Sequence, residues 1–157
     1  MSAELAGLER RLRAIEDELA VQRLVAGYGP AVDTRSRERV AAMWSEDGEY
    51  DFGAGALVGP EQVAALVDLE EHAAWVARGC AHVLAPPVVH VDGDRATAIG
   101  YSRVYVRDGD HWTVVRVSAN RWEFERTPDG WRVLSRMNRP LDGSPEARRL
   151  LELDQPE

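Results

Sequence analysis

The chain contains no lysine; all nineteen of its basic residues are arginine. That excludes Schiff-base chemistry, which needs a lysine amine, and a phosphate-binding loop of the Gly-Lys-Ser/Thr kind. Cysteine occurs once, as Cys80. No intrachain disulfide and no paired-cysteine zinc site can form from it, and a reducing cytoplasm is the compartment it fits. No run approaches the roughly 20 apolar residues of a membrane span, and the N-terminal segment, rich in Glu and Arg, lacks a signal-like apolar stretch. An excess of positive charge is also missing: 19 basic residues face 27 acidic ones, a net charge of -8. A nucleic-acid surface needs a basic stripe, and so does binding to an anionic membrane. Glycine-rich nucleotide loops, a nucleophile elbow and metal-ligand clusters are absent as sequence motifs. The expectation is a soluble cytoplasmic protein with no cofactor, no metal, no nucleic-acid partner and no membrane partner.

What is present fits one globular domain. The 157 residues are 45% hydrophobic, enough for a single sizeable core. The domain is read as 1–157, with its core at 8–140 and a polar tail at 141–157 that carries Leu150, Leu151 and Leu153. Leu5, Leu8, Leu12, Ile15 and Leu19 recur at spacings of three and four, the narrow apolar stripe of an amphipathic helix. A partner helix could cover that stripe, but packing on its own domain is the reading adopted. The pattern breaks at Gly27-Tyr28-Gly29-Pro30, because a residue before proline resists the helical region. A short helix is expected at about 36–44, a turn at Ser45-Glu46-Asp47-Gly48 and a short strand at 49–52. Pro60 then opens a third helix that runs to about Val76.

From residue 79 the signal turns to β-runs, at 80–91, 94–107, 111–126 and 131–139. They are separated by Asp92-Gly93, Asp108-Gly109 and Thr127-Pro128-Asp129-Gly130, and Asp-Gly between strand-like runs is a strong hairpin signal. Helices first and an antiparallel meander after them make an α+β plan. A curved mixed or antiparallel sheet wraps around the N-terminal helices and leaves a pocket between the two.

Histidine is the side chain best suited to proton transfer near neutral pH. His72 follows Glu70-Glu71 on a charged helix stretch and is read as solvated. His90 precedes a turn, at the sheet edge, and His111 adjoins another turn. Only His82 lies early in a strand of small and apolar residues. A lone histidine there is more often a satisfied core residue than a catalytic one. A catalytic histidine needs an acceptor on its second ring nitrogen; Asp33, Asp47, Asp51 and Glu49 are candidates. Asp33 also reads as the cap of the helix near residue 36, and the residues alone leave both readings open.

The order Tyr28-Gly-Pro-Ala-Val-Asp33, a helix ending in Trp44, Ser-Glu-Asp-Gly-Glu-Tyr-Asp-Phe, Cys-Ala-His82, Gly-Asp-Arg-Ala-Thr-Ala and a final Asp-Gly-Trp-Arg-Val resembles one branch of a superfamily. It is similar to the SnoaL-like branch of the nuclear-transport-factor-2-like superfamily, over residues 8–140. The fold this implies is a cone with a deep pocket. Two enzyme types of that superfamily, scytalone dehydratase and hexachlorocyclohexane dehydrochlorinase, carry an aspartate–histidine pair at the positions matching Asp33 and His82. The resemblance implies His82 as general base and Asp33 as its orienting group. It implies substrate contacts for Ser118 and Asn120 and places Phe52 where the dehydratase has a substrate-polarising tyrosine. The dehydratase's second pocket histidine falls here near Asp108, at a hairpin tip, with His111 nearby.

The implied activity is that of a cofactor-independent lyase or isomerase acting on a small hydrophobic or aromatic carbonyl compound. The alternatives are a non-catalytic small-molecule-binding protein of the same fold, or an accessory subunit of a polyketide or oxygenase pathway. Tyr28 is read as a pocket phenol or a core aromatic, and Arg116 as an anion-neutralising group or a salt-bridge partner. Strand alternation bears on the site as well. A two-residue loop at 108–109 would put Ser118 and Asn120 with Tyr101 and Arg103; a three-residue loop would put them with Gly100 and Ser102. The family match favours the second. Cones of this kind commonly self-associate, so a homo-oligomer is expected, a trimer ahead of a dimer, through the strand face rich in arginine and aromatics.

Overall fold

The computed structural model describes residues 2–152; Leu153 lies outside them. Its first element, α1 (Ser2–Asp33), has two different apolar faces. Val21, Val25, Tyr28 and Val32, at helical spacing, are buried in the core. The leucine stripe that dominates the sequence pattern is not: Leu8 is 60% exposed and Ile15 56%. That corrects the expectation that the stripe packs on its own domain. The helix also runs straight through Pro30, contrary to the expected break. The restriction proline places on its predecessor acts partly through a Cβ, and Gly29 has none. Burial of Tyr28, Ala31 and Val32 around Pro30 then outweighs the lost backbone hydrogen bond.

A turn at Thr34 and Arg35 leads to α2 (Arg37–Ala41), shorter than expected and capped by Ser36, whose hydroxyl accepts from the Arg39 N–H. The cap is therefore Ser36 and not Asp33. Trp44 opens β1 (Trp44–Asp51), and the expected turn at 45–48 is a bulge within that strand. After β2 (Ala56–Val58), the helix expected over 60–76 is broken. It consists of α3 (Pro60–Ala64), a 3₁₀ turn (Ala65–Asp68) and α4 (Glu70–Arg78). Asp68, at the break, is tied to Arg35 and Arg37. The run expected over 80–91 is two strands, β3 (Cys80–Leu84) and β4 (Val88–Asp92). Pro86 and Pro87 between them have no N–H for a ladder. The long strands are β5 (Arg95–Asp108), β6 (His111–Thr127) and β7 (Gly130–Pro140), and the tail carries a short α5 (Pro145–Arg149).

The sheet order is β2-β1-β7-β6-β5-β3, with β4 also on β5. The β1–β7 pair is parallel and the others antiparallel. This is the expected α+β architecture, an open, curved, mixed sheet with helices against one face. Trp122, Phe124, Val133, Val63 and Val67 fill the space between the layers. Asp17 pins α1 to the far strands: its carboxylate takes both Nη atoms of Arg126 at 2.8 Å and the Trp131 indole N–H at 3.1 Å. Those bonds, the Arg126 pair foremost, hold its pKa below the usual carboxylate range despite burial.

The β5–β6 hairpin resolves the register question by a route neither loop length anticipated. Asp108 pairs with His111, so the loop is Gly109-Asp110, two residues. Between the pairs Val104–Arg116 and Tyr105–Val114 an extra residue, Val115, bulges out. That single bulge flips the alternation. Ser118 then faces Ser102, and Asn120 faces Gly100, as the family match favoured.

Candidate functional site

A cavity of about 240 Å³ opens between the sheet and the helices. That is smaller than the roughly 300–1,000 Å³ of pockets for drug-sized ligands. Tyr28 and Val32 of α1, Leu69, His72 and Trp75 at and within α4, and strand residues from β1 to β7 line it.

Asp33 ends α1, and β3 crosses beside it. Its Oδ1 lies 2.7 Å from His82 Nδ1, and its Oδ2 accepts the His82 backbone N–H at 2.8 Å. The carboxylate thus grips both the ring and the backbone of one residue, which fixes the ring's orientation. A carboxylate only accepts, so Nδ1 carries the proton, and Nε2 is left as the free nitrogen of a ring that lines the cavity. Burial pushes the Asp33 pKa up, but the hydrogen bonds from His82 more than offset it, and the net shift is downward. Cys80 donates its thiol to Asp33 Oδ1 at 3.4 Å. Burial and the adjacent carboxylate push that thiol up to about 11, so it is a neutral donor and not a nucleophile. Asp33, Cys80 and His82 bring three ligand-type atoms within 4.8 Å of one another. Each is already engaged with another of the three, and a protonated thiol is a poor metal ligand.

His72 also reaches the cavity, contrary to the expectation that it is solvated. Its Nε2–H donates to the Val32 carbonyl at 2.9 Å, and its ring centre lies 5.4 Å from that of His82. Leu69, His72 and Trp75 recur every three residues, a helical face that the acidic neighbours Glu70 and Glu71 obscure. Asp108 and His111, the candidates for a second pocket histidine, sit exposed at the hairpin tip, away from the cavity.

Tyr28 lines the cavity, and burial pushes its phenol up to about 12, so it stays a neutral hydrogen-bond donor. Phe52 also lines the wall, edge-on to Tyr50. Arg116 is on the wall with its guanidinium over Trp75, and it makes none of the ion pairs found among the described residues. Ser118 and Asn120 are fully buried and do not line the cavity. Asn120 stands behind a residue that sequence reasoning missed, Arg136. Its Oδ1 accepts from Arg136 Nε at 3.1 Å, from Arg136 Nη2 at 2.8 Å and from Asn138 Nδ2 at 2.8 Å. Arg136 pairs with Trp122 on one side and Tyr50 on the other. Its guanidinium lies 4.2 to 4.6 Å from the ring centres of Trp122, Tyr28 and Tyr50.

The family profile for the SnoaL-like domain matches residues 13–137, and the chain belongs to that family, within the nuclear-transport-factor-2-like superfamily. It is similar to an NTF2-like protein with a cystatin-like fold from Novosphingobium aromaticivorans, at 45% identity and a TM-score of 0.92, covering 95% of this chain and 97% of that one. A candidate aromatic ring hydroxylase from the same organism superposes with a TM-score of 0.66 at 27% identity, covering 81% of this chain and 90% of that one. An uncharacterised protein of Mycobacterium tuberculosis is 30% identical over 138 residues, 78% of this chain and 84% of its own length. Among the described residues no helix is long and apolar enough to cross a membrane.

Proposed function

We propose that the protein is a cofactor-independent lyase or isomerase for a small hydrophobic or aromatic carbonyl compound, with His82 as general base. The observation that carries this reading is the 2.7 Å contact of His82 Nδ1 with Asp33, which puts the proton of the neutral, cavity-lining ring on Nδ1 and leaves Nε2 to act as the base. In the reaction, Nε2 takes a proton from the carbon next to the carbonyl. The imidazolium that forms is stabilised by Asp33. The oxygen on which charge develops accepts a hydrogen bond from the neutral Tyr28 phenol, with Arg116 and Arg136 on the same wall. His82 then returns the proton, to a neighbouring carbon in an isomerisation or to a leaving hydroxyl in a dehydration. His72 puts a second proton-carrying ring beside it. The likeness to the candidate aromatic ring hydroxylase of N. aromaticivorans supports an aromatic ligand.

The test is exchange of the α-protons of 2-tetralone into D2O, followed by NMR. The wild-type protein is expected to accelerate exchange above buffer, and His82→Gln to lose roughly 10²–10⁴-fold of it, the usual worth of a positioned base. Exchange that His82→Gln leaves unchanged would remove His82 from the chemistry. Saturable binding without exchange would make the protein a binding member of the family.

Self-association is part of the proposal, with a trimer ahead of a dimer. Val83, Arg103 and Val117 form one cross-strand row on the outer sheet face, with Tyr101 beside them, and all four are exposed. Sedimentation equilibrium should give a multiple of the 17.5 kDa chain mass; a monomer at high micromolar concentration would refute the assignment.

A further inference from the structure

We propose that the cavity is built for a small aromatic carboxylate whose acid group is neutralised by Arg136. The inference rests on the cavity being the ligand site proposed above, though not on the reaction carried out there. Arg136 is a cation only 3% exposed, and it takes part in none of the ion pairs found among the described residues. Other arginines of this chain are treated differently. Arg126 and Arg139, both less buried, each hold an aspartate through two nitrogens, Asp17 and Asp51 respectively. Acidic residues outnumber basic ones in this chain, yet none of the described ones is paired with its most buried guanidinium.

Taking a cation out of water is costly unless charge and hydrogen bonds are restored. Arg136 has partial restoration only. Asn120 Oδ1 takes Nε and Nη2, and three ring faces lend their quadrupoles, but Nη1 has no hydrogen-bond partner. None of these groups carries a negative charge. Arg103 and Arg116, also on the cavity wall, add to the positive potential and likewise take part in none of the ion pairs found among the described residues. The cavity wall thus carries three arginines against one acidic residue, Glu71, which takes part in none of the ion pairs found among the described residues, and the counter-charge that Arg136 lacks is the ligand's to supply.

A permanently buried cation calls for a permanent anion. An enolate exists only during turnover, and a simple phenol, with a pKa near 10, is neutral at pH 7. A carboxylate is ionised throughout and matches a guanidinium in shape. The rings of Tyr28, Phe52 and Trp75 around the cavity select a flat aromatic body, and the volume of about 240 Å³ limits it to one or two rings.

The experiment compares 2-naphthoate with its neutral isostere 2-naphthamide, by calorimetric titration at pH 7 and low salt. Wild-type protein is expected to bind the carboxylate roughly ten- to a hundredfold more tightly, the worth of a hydrogen bond to a charged group. Arg136→Met keeps an unbranched apolar side chain against the three rings and removes a buried charge that has no ion-pair partner; it should erase the preference. Arg116→Gln should reduce it only in part. His82→Gln should keep it, so the carboxylate site stands even if the proton-transfer reading fails. Equal affinity for the two ligands in the wild-type protein, or no binding of 2-naphthoate, overturns the proposal. So does a preference that survives Arg136→Met, or one that vanishes fully in Arg116→Gln. If Arg136→Met does not fold, the wild-type ligand pair and Arg116→Gln still test the proposal, which fails on equal affinity in the first or on full loss of the preference in the second.

Discussion

Asp33→Asn is expected to slow α-proton exchange by about two to four orders of magnitude, as much as loss of the histidine itself. The reason lies in which donors Asp33 serves. Its Oδ2 accepts a backbone N–H, from His82, and its Oδ1 accepts from the His82 ring and the Cys80 thiol. An asparagine has one oxygen and one NH2. The backbone donor cannot turn away, so the oxygen stays with it. The NH2 then faces His82 Nδ1 and forces that nitrogen to accept. The ring's proton moves to Nε2, the atom that should act as base. The variant keeps its shape and packing but holds the wrong tautomer. Far-ultraviolet circular dichroism and melting temperature close to wild type, with exchange lost, would show this. Full exchange activity in Asp33→Asn would mean that the carboxylate does no more than tie α1 to β3. Acid has a related effect on stability. The Asp33 pKa is lower folded than unfolded, so its contribution is present above an unfolded value of about 3.9 and is lost as pH falls through the depressed folded value.

Gly29→Ala is expected to cost about 3 kcal/mol of stability, or roughly 6–12 °C in melting temperature for a chain of this size. In an ordinary helix interior the same change would gain up to about 1 kcal/mol. Here a Cβ on Gly29 would overlap the backbone carbonyl oxygen of His82 and come within 3.2 Å of its carbonyl carbon. Neither atom is the tip of a flexible side chain, so α1 and β3 must separate. The residue before Pro30 would also acquire the Cβ that proline disfavours in a helix. Separation lengthens the Asp33 contacts with His82, so exchange should fall along with stability. Gly27→Ala is the control: a Cβ there meets nothing within 4 Å, and the helix-propensity gain should appear undiminished. If Gly29→Ala melts like Gly27→Ala, the close approach of α1 to β3 is not what seats the dyad.

Much of this arrangement was legible in the sequence, and what escaped it has a common physical origin. The Asp-Gly and Pro-Asp-Gly turns marked the β4–β5, β5–β6 and β6–β7 hairpins because such residues adopt the turn geometry locally, without reference to the rest of the fold. Asp33 and His82 were paired by resemblance, since 49 residues of chain separate them and periodicity says nothing about such a contact. The bulges were invisible. Val115 shifts β6 by one residue, and Leu134, unpaired between the Phe124–Val133 and Glu123–Ser135 pairs, shifts β7 in the same way. Strict alternation from Trp131 and Val133 would turn Ser135 and Met137 inward. The Leu134 bulge turns Arg136 and Asn138 inward instead. A one-residue shift exchanges the two faces of a strand, and propensity does not announce it. Long-range packing carried α1 through Pro30 and left its leucine stripe in solvent, where an amphipathic pattern alone predicts burial. His72 was hidden by composition: its helix begins with two glutamates, and only the contact with the Val32 carbonyl shows that the face it shares with Trp75 is the inner one.

The tautomer of His82 bears most directly on the proposed base. A nitrogen-15-resolved NMR spectrum of the ring at about pH 9, where an ordinary imidazole is neutral, distinguishes the two neutral forms. In the wild-type protein the proton is predicted on Nδ1, with an open lone pair on Nε2, and in Asp33→Asn the two nitrogens should exchange roles. A wild-type ring protonated at Nε2, or one whose form is the same in both proteins, would contradict the Asp33–His82 dyad as the catalytic base.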